Sequence, residues 1–247
     1  MGCYWQLNLM AVIPSSRSTG CISNSVNRGV TDGLVLFLDA GSSVSYSGSG
    51  TAWTDLSGES NNAELVNSPT YNSSNSGFFQ FVNDDIARIP NNTLLDTDFP
   101  TVEVWVKTNA TNQNGFWFEK GTVNTQYSLF QGGGSIYWRQ NFNGTLSDLT
   151  ISTATYMNTS DWYQVVGTYT PGNRQLFING NFVASDTRTG SLSTNSGGMS
   201  IGVYGGYSGG RGYYYNGNLA ICKVYNRELL ESEVLQNFNA CRHRFGI

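Results

Sequence analysis

From residue 33 onward, apolar and polar residues alternate over stretches of about four to eight positions, the period-two pattern of half-buried strands. The clearest stretches are LVLFLDA (34–40), GFFQFV (77–82), TVEVWVKT (101–108), SIYWRQ (135–140), WYQVVGTY (162–169), RQLFING (174–180) and LAICKVY (219–225). In TVEVWVKT, Val102, Val104 and Val106 share one face and Glu103, Trp105 and Lys107 the other. The pattern predicts one face against a core and the other turned outward or lining a groove. Asn179-Gly180 separates RQLFI from FVASD, a two-residue hairpin signal because both positions tolerate positive φ. Only ELLESEVLQNF (228–238) reads as a helix, with Leu230, Val234, Leu235 and Phe238 on one stripe, and it is expected to pack across one end of a two-sheet sandwich.

Residues 1–32 lack this periodicity, carry Pro14 and scattered serines, and read as an extended arm or tether, with one sandwich domain over 33–247. Composition agrees with strands and tight turns: among 247 residues are 29 Gly, 14 Tyr, 13 Phe and 6 Trp, with only 12% charged. The net charge of −4 and the absence of a basic run argue against nucleic acid. No stretch approaches the roughly 20 apolar residues that cross a bilayer, so no membrane partner is expected. The opening lacks the charged head and apolar centre of a secretory signal, so synthesis in the cytoplasm is expected. Cys3, Cys21, Cys222 and Cys241 match no zinc spacing and have one His, His243, to help them. Pairing of Cys3 with Cys21 or Cys222 with Cys241 is conceivable, but free thiols are favoured.

The segment 33–85 carries LxLDAG at 36–41, WTDLSG followed by NN at 53–62, and a strand ending FVNDD at 81–85. EVWVK (103–107), WYQVVGTY, the LFING hairpin and YNGNLAICKVY (215–225) with its trailing helix follow in order. Together these motifs resemble the laminin-G-like, concanavalin A-like jelly-roll domains of tailed-bacteriophage (cyanophage-like) virion proteins, over roughly residues 33–247. The resemblance implies an all-β antiparallel jelly-roll sandwich with one short C-terminal helix. It also implies a non-enzymatic virion structural protein, a capsid decoration or fibre subunit made in the host cytoplasm. In that setting the arm would dock on other virion proteins, a homo-oligomer is expected, and the sandwich would meet host polysaccharide. A stand-alone carbohydrate-binding or adhesion module, calcium-dependent in one version, is the alternative. Asn83 departs from the family's usual Gly, and Leu230 and Glu231 stand where Ser or Thr often caps the helix.

Catalysis would need a base held by a third group, and the sole imidazole lies in the tail HRFGI. Glu103, Glu119, Asp148 and Asp161 show no pairing of the kind glycoside hydrolysis requires. Sugars stack on aromatic rings beside planar hydrogen-bonding groups. The glycine-rich loop 199–218 supplies the carbohydrate-binding candidates Tyr204, Tyr207, Arg211 and Tyr213, while Tyr215 reads as packed. Trp117 and Trp138, with Tyr137 and Arg139, are further candidates on a sheet face, or else core residues. No cofactor is required. Asp84 and Asp85 are the candidates for Ca²⁺, in line with the calcium that many domains of this family hold at a sheet rim, or else accept turn hydrogen bonds. Asp55 reads as a turn former.

Overall fold

The computed structural model describes residues 29–121, 125–194, 196–206 and 212–247. Strands, numbered in chain order, form two antiparallel sheets. The first runs β14 (Asn181–Asp186), β13 (Asn173–Ile178), β12 (Tyr163–Thr170), β7 (Thr101–Thr108), β16 (Gly217–Tyr225), β5 (Phe78–Phe81) and β4 (Thr70–Asn72). On the edge of β16 away from β7, β5 pairs with Gly217–Leu219 and β1 (Leu34–Asp39) with Ile221–Tyr225. The second runs β11 (Thr145–Ser152), β10 (Ser135–Phe142), β9 (Tyr127–Gly132), β8 (Gly115–Lys120), β15 (Met199–Ile201), β6 (Ile86–Ile89), β3 (Ala63–Val66) and β2 (Ala52–Trp53).

The core lies between the sheets. Val102, Val104 and Val106 of β7 meet Trp117, Leu129 and Trp138 of the facing sheet in one buried cluster. Trp138 ties the two layers: its Nε1–H donates across the core to the Thr168 carbonyl at 2.9 Å. Gly167 in β12 is explained by this ring, because a Cβ there would overlap the Trp138 indole. The Asn179-Gly180 hairpin forms as expected, with φ of 51° and 75°, and joins β13 to β14.

The other face of β7 departs from expectation. Trp105 and Glu103 are fully buried, not outward-facing or groove-lining. They are covered by the C-terminal helix (Glu231–Cys241) and the turn after it, which lie over the outer surface of the first sheet rather than across an end. Phe238 and Phe245 stack on Trp105, with centroids at 5.9 and 4.4 Å. A carboxylate can be buried here because it is fully engaged. Glu103 pairs with Lys223 Nζ at 3.2 Å and accepts from Trp105 Nε1 at 3.0 Å and Asn237 Nδ2 at 2.7 Å. The helix starts without a Ser or Thr cap, but the Leu230 N–H donates to the Glu233 carboxylate at 2.9 Å and Arg227 clamps that carboxylate.

Val30, placed in the arm by its sequence, belongs to the body. It is buried beside Val166, Phe177, Tyr225 and Val234. Its N–H donates to Asn237 Oδ1 at 2.7 Å and its carbonyl accepts from the Tyr225 hydroxyl at 3.0 Å. Residues 1–28, which make up most of the expected arm, lie outside the described residues. Cys222 is a free, buried thiol facing the inter-sheet core, and burial pushes its pKa up. Cys241, on the opposite face of that sheet, is disulfide-bonded, so the two do not pair and free thiols throughout is corrected.

Candidate functional site

The outer face of the second sheet carries a row of rings set by strand register. Phe116 on β8 lies opposite Phe130 on β9, which lies opposite Tyr137 on β10. Directly opposed residues on one face stand close enough for their side chains to touch. The rings accordingly stack as a column, with centroids 4.2 Å (Phe116–Phe130) and 4.6 Å (Phe130–Tyr137) apart and planes within 5°. Two residues along β10, Arg139 sits on the same face, its guanidinium 4.8 Å from the Phe130 centroid. Asp148, opposite it on β11, takes Nε and Nη2 at 2.7 and 2.8 Å. That bidentate bond raises the Arg139 pKa and fixes the planar fork beside Phe130.

Tyr204 and Tyr213, which lie between β15 and β16, wall this row and line with it a groove of about 450 Å³. Tyr204 packs on Phe116 at 5.0 Å, and Tyr213 meets Tyr204 edge-on at 6.3 Å. The wall is bonded to β8: Phe116 N–H donates to Tyr213 O, Gly202 N–H to Phe116 O, and Tyr215 N–H back to Gly202 O. Beneath it, buried Glu119 accepts from Gly205 N–H and from Thr125 Oγ1, and Arg88 Nε donates to Gly206 O at 3.0 Å. Tyr213 is 57% exposed and has φ of 56°. A bulky residue in the left-handed region is strained, and such strain persists only where surrounding structure imposes it.

Of the residues singled out from sequence, Tyr204 and Tyr213 line the groove, with Tyr137 and Arg139. Tyr207 and Arg211 lie outside the described residues. Trp117 and Trp138 are fully buried between the sheets and present no surface to a ligand, which corrects their assignment as sugar-contacting residues. The reason is parity: side chains alternate along β10, so placing Trp138 inside puts Tyr137 and Arg139 outside. Phe116 and Phe130 join the groove without a signal in the alternation. A bulge between Phe116 and Phe118 puts Trp117 and Phe118 both in the core, which erases the alternation that would have exposed the strand in GFWFEK.

Asp85 Oδ2 accepts from Val82 N–H at 3.0 Å in a turn where Asn83 has φ of 51°, and burial raises the Asp85 carboxyl pKa. Asp84 Oδ2 accepts from Asn67 Nδ2 at 3.0 Å. Among the described residues no group of three or more His, Cys, Asp or Glu gathers to hold a metal. The pair does not fit a calcium ion, which needs several convergent oxygen ligands. Asp55 accepts from Ser57 N–H at 2.9 Å and from Phe37 N–H at 2.8 Å, pinning its turn to β1. Asp161 is held by Asn158 Nδ2 at 2.6 Å.

The sequence profile of the concanavalin A-like lectin/glucanases superfamily, laminin-G type, matches residues 81–235. With more than half of its length matched, this chain belongs to that family. No curated protein matches. Among solved structures, the receptor binding domain of botulinum neurotoxin C/D mosaic serotype is similar with a TM-score of 0.67 at 17% identity, over 85% of this chain and 51% of that one. The binding domain of Paraclostridial Mosquitocidal Protein 1 gives 0.67 at 19%, over 85% and 52%. The botulinum neurotoxin type G receptor binding domain gives 0.64 at 15%, over 84% and 51%. The likeness is one of fold, and this chain spans about half the length of those structures.

Proposed function

We propose that this chain is a non-enzymatic recognition domain of a tailed-phage virion, a capsid decoration or fibre subunit whose groove binds host-surface glycans. The observation that carries the reading is the groove itself: a rigid ring column, an exposed tyrosine in a strained backbone, and a fixed guanidinium. Rings that cover the apolar faces of a pyranose, beside planar polar groups, are the chemistry of sugar recognition. The neurotoxin and mosquitocidal domains named above, receptor-binding and binding domains of their own proteins, share the sandwich and lend the reading support. The carboxylates that hydrolysis would recruit are spent on structure: Glu103 on Lys223, Glu119 on Gly205 and Asp148 on Arg139. Virion placement rests on the likeness of the VTDGLVLFLDAG entry (30–41) and the NFNACRHRFGI ending (237–247) to tailed-phage domains. There the arm joins other virion proteins, and many copies on one particle raise weak sugar affinity through avidity.

The test has two arms. On a glycan array the intact protein binds, and Tyr137→Ala and Tyr213→Ala each lose at least about tenfold, the effect of one stacking contact. Binding that survives both substitutions removes the groove from the reading. Because Cys241 is disulfide-bonded, residues 1–28 are deleted in a Cys241→Ser background and compared with full-length Cys241→Ser: the truncated domain folds and binds glycan but no longer enters particles. If the truncated chain is incorporated normally, the arm is not the virion anchor. If the intact protein is absent from particles yet binds glycan, it is a stand-alone carbohydrate-binding module.

A further inference from the structure

The groove's polar groups identify the kind of sugar it takes. Gln131 is used up, its Oε1 accepting from Thr108 Oγ1 at 2.9 Å and its Nε2 donating to Ala110 O at 2.8 Å. Asn114 Oδ1 accepts the Gly133 N–H at 2.8 Å, which fixes the carboxamide and leaves its Nδ2 hydrogens as the free half. Arg139 spends Nε and Nη2 on Asp148, leaving Nη1 without a protein partner among the described residues. No carboxylate lines the groove among those residues, and both oxygens of nearby Asp148 are occupied. The fixed side-chain groups left free for a ligand among the described residues, Arg139 Nη1 and Asn114 Nδ2, are therefore donors.

A plain hexose presents hydroxyls, and a site that discriminates for them must also accept their protons. Among the described side chains that line the groove, only the phenol oxygens are free to do so. A carbonyl oxygen, by contrast, is an acceptor with no proton to place. The rings add a second demand. Within the column each face of Phe130 is covered, by Phe116 on one side and Tyr137 on the other, so its edges suit a small apolar substituent rather than a whole sugar face. The exposed ring of Tyr213 is the face left for stacking a pyranose. Charge is the third constraint: Arg139 is already paired with Asp148, so a neutral acceptor fits better than a second carboxylate.

We propose that the groove selects sugars bearing an acyl group, above all acetamido sugars. The acyl carbonyl accepts from Arg139 Nη1 and Asn114 Nδ2, its methyl group lies against the ring column, and the pyranose stacks on Tyr213. This inference rests on the glycan-binding reading and specifies its ligand.

The test uses the full-length chain and matched pairs of oligosaccharides: β1,4-linked tetramers of N-acetylglucosamine and of glucose, galacto counterparts with and without the acetamido group, and a uronate oligomer. The acetamido member of the preferred pair binds about tenfold or more tighter, the scale of one charge-assisted hydrogen bond. Arg139→Gln and Asn114→Ala narrow that gap, weakening the acetamido sugar more than the plain one, with unchanged circular dichroism. Equal or tighter binding of the plain hexose, or a gap that neither substitution narrows, overturns the selectivity while leaving glycan binding standing. The uronate binding above both with steep salt dependence overturns it in favour of an acidic sugar. Silence across all of these and across the broader array overturns the glycan reading and the selectivity with it.

Discussion

Two tyrosines two positions apart show how differently one residue type is used. Tyr215 is fully buried, its ring against Trp117 and its hydroxyl donating to Lys107 O at 3.0 Å. Tyr213 is exposed and held at a positive φ that glycine adopts without strain. Tyr215→Ala should cost about 3–5 kcal/mol, as loss of a large buried aromatic does. Tyr213→Gly relieves about 1 kcal/mol of left-handed strain while losing a ring contact of similar size. Its net effect on stability should stay within about 1 kcal/mol although glycan binding is lost. Denaturant unfolding beside a binding assay checks this, and a large loss of stability in Tyr213→Gly would show the ring to be structural.

The C-terminal helix brings a pH dependence of predictable sign. Glu233, in its first turn, is held below the ordinary carboxylate value chiefly by hydrogen bonding to Arg227, which also pairs with Asp32 at 2.8 Å. A carboxyl whose pKa is depressed by folding stabilises the fold above its unfolded value and loses that contribution as pH falls through the folded value. The window therefore opens near pH 4.5 and extends downward. Glu228 and Asp85 act in the opposite sense, because burial raises both. The comparison of Glu233→Gln with wild type isolates the helix contribution: the variant should be less stable at neutral pH, with the difference shrinking below about pH 4.5. A difference constant from pH 7 to pH 3 would contradict it.

For the whole molecule, stability should not depend on a divalent ion. Asp84 and Asp85 are engaged by Asn67 and Val82, and the Asp85 environment disfavours charge. Melting temperatures in chelator and in millimolar Ca²⁺ should agree, since a ligand bound only by the folded state would raise the midpoint with concentration. A calcium-dependent rise of several degrees, abolished by Asp85→Asn, would establish the site.

Much of this fold is written in local pattern. Alternation located β1, β5, β7, β10, β12, β13 and β16, and Asn179-Gly180 dictated its hairpin, because side-chain period and turn conformation are properties of a few consecutive residues. The same pattern could not say which parity faces the core. In SIYWRQ both Tyr137/Arg139 and Trp138 were eligible for the surface, and only the facing sheet, where Trp138 reaches Thr168, decided it. Nor could alternation reveal a second covered face: Trp105 and Glu103 became core when the helix, more than 120 residues later, closed over them. The groove belongs to the same category. Phe116, Phe130 and Tyr137 are separated in sequence and meet because cross-strand register aligns them, and register is settled by which faces the two sheets bury against each other. The sequence determined those seven strands, the Asn179-Gly180 turn and the place of the tyrosine-glycine loop in the chain; the tertiary structure decided which rings become a surface, because burial is a relation between segments.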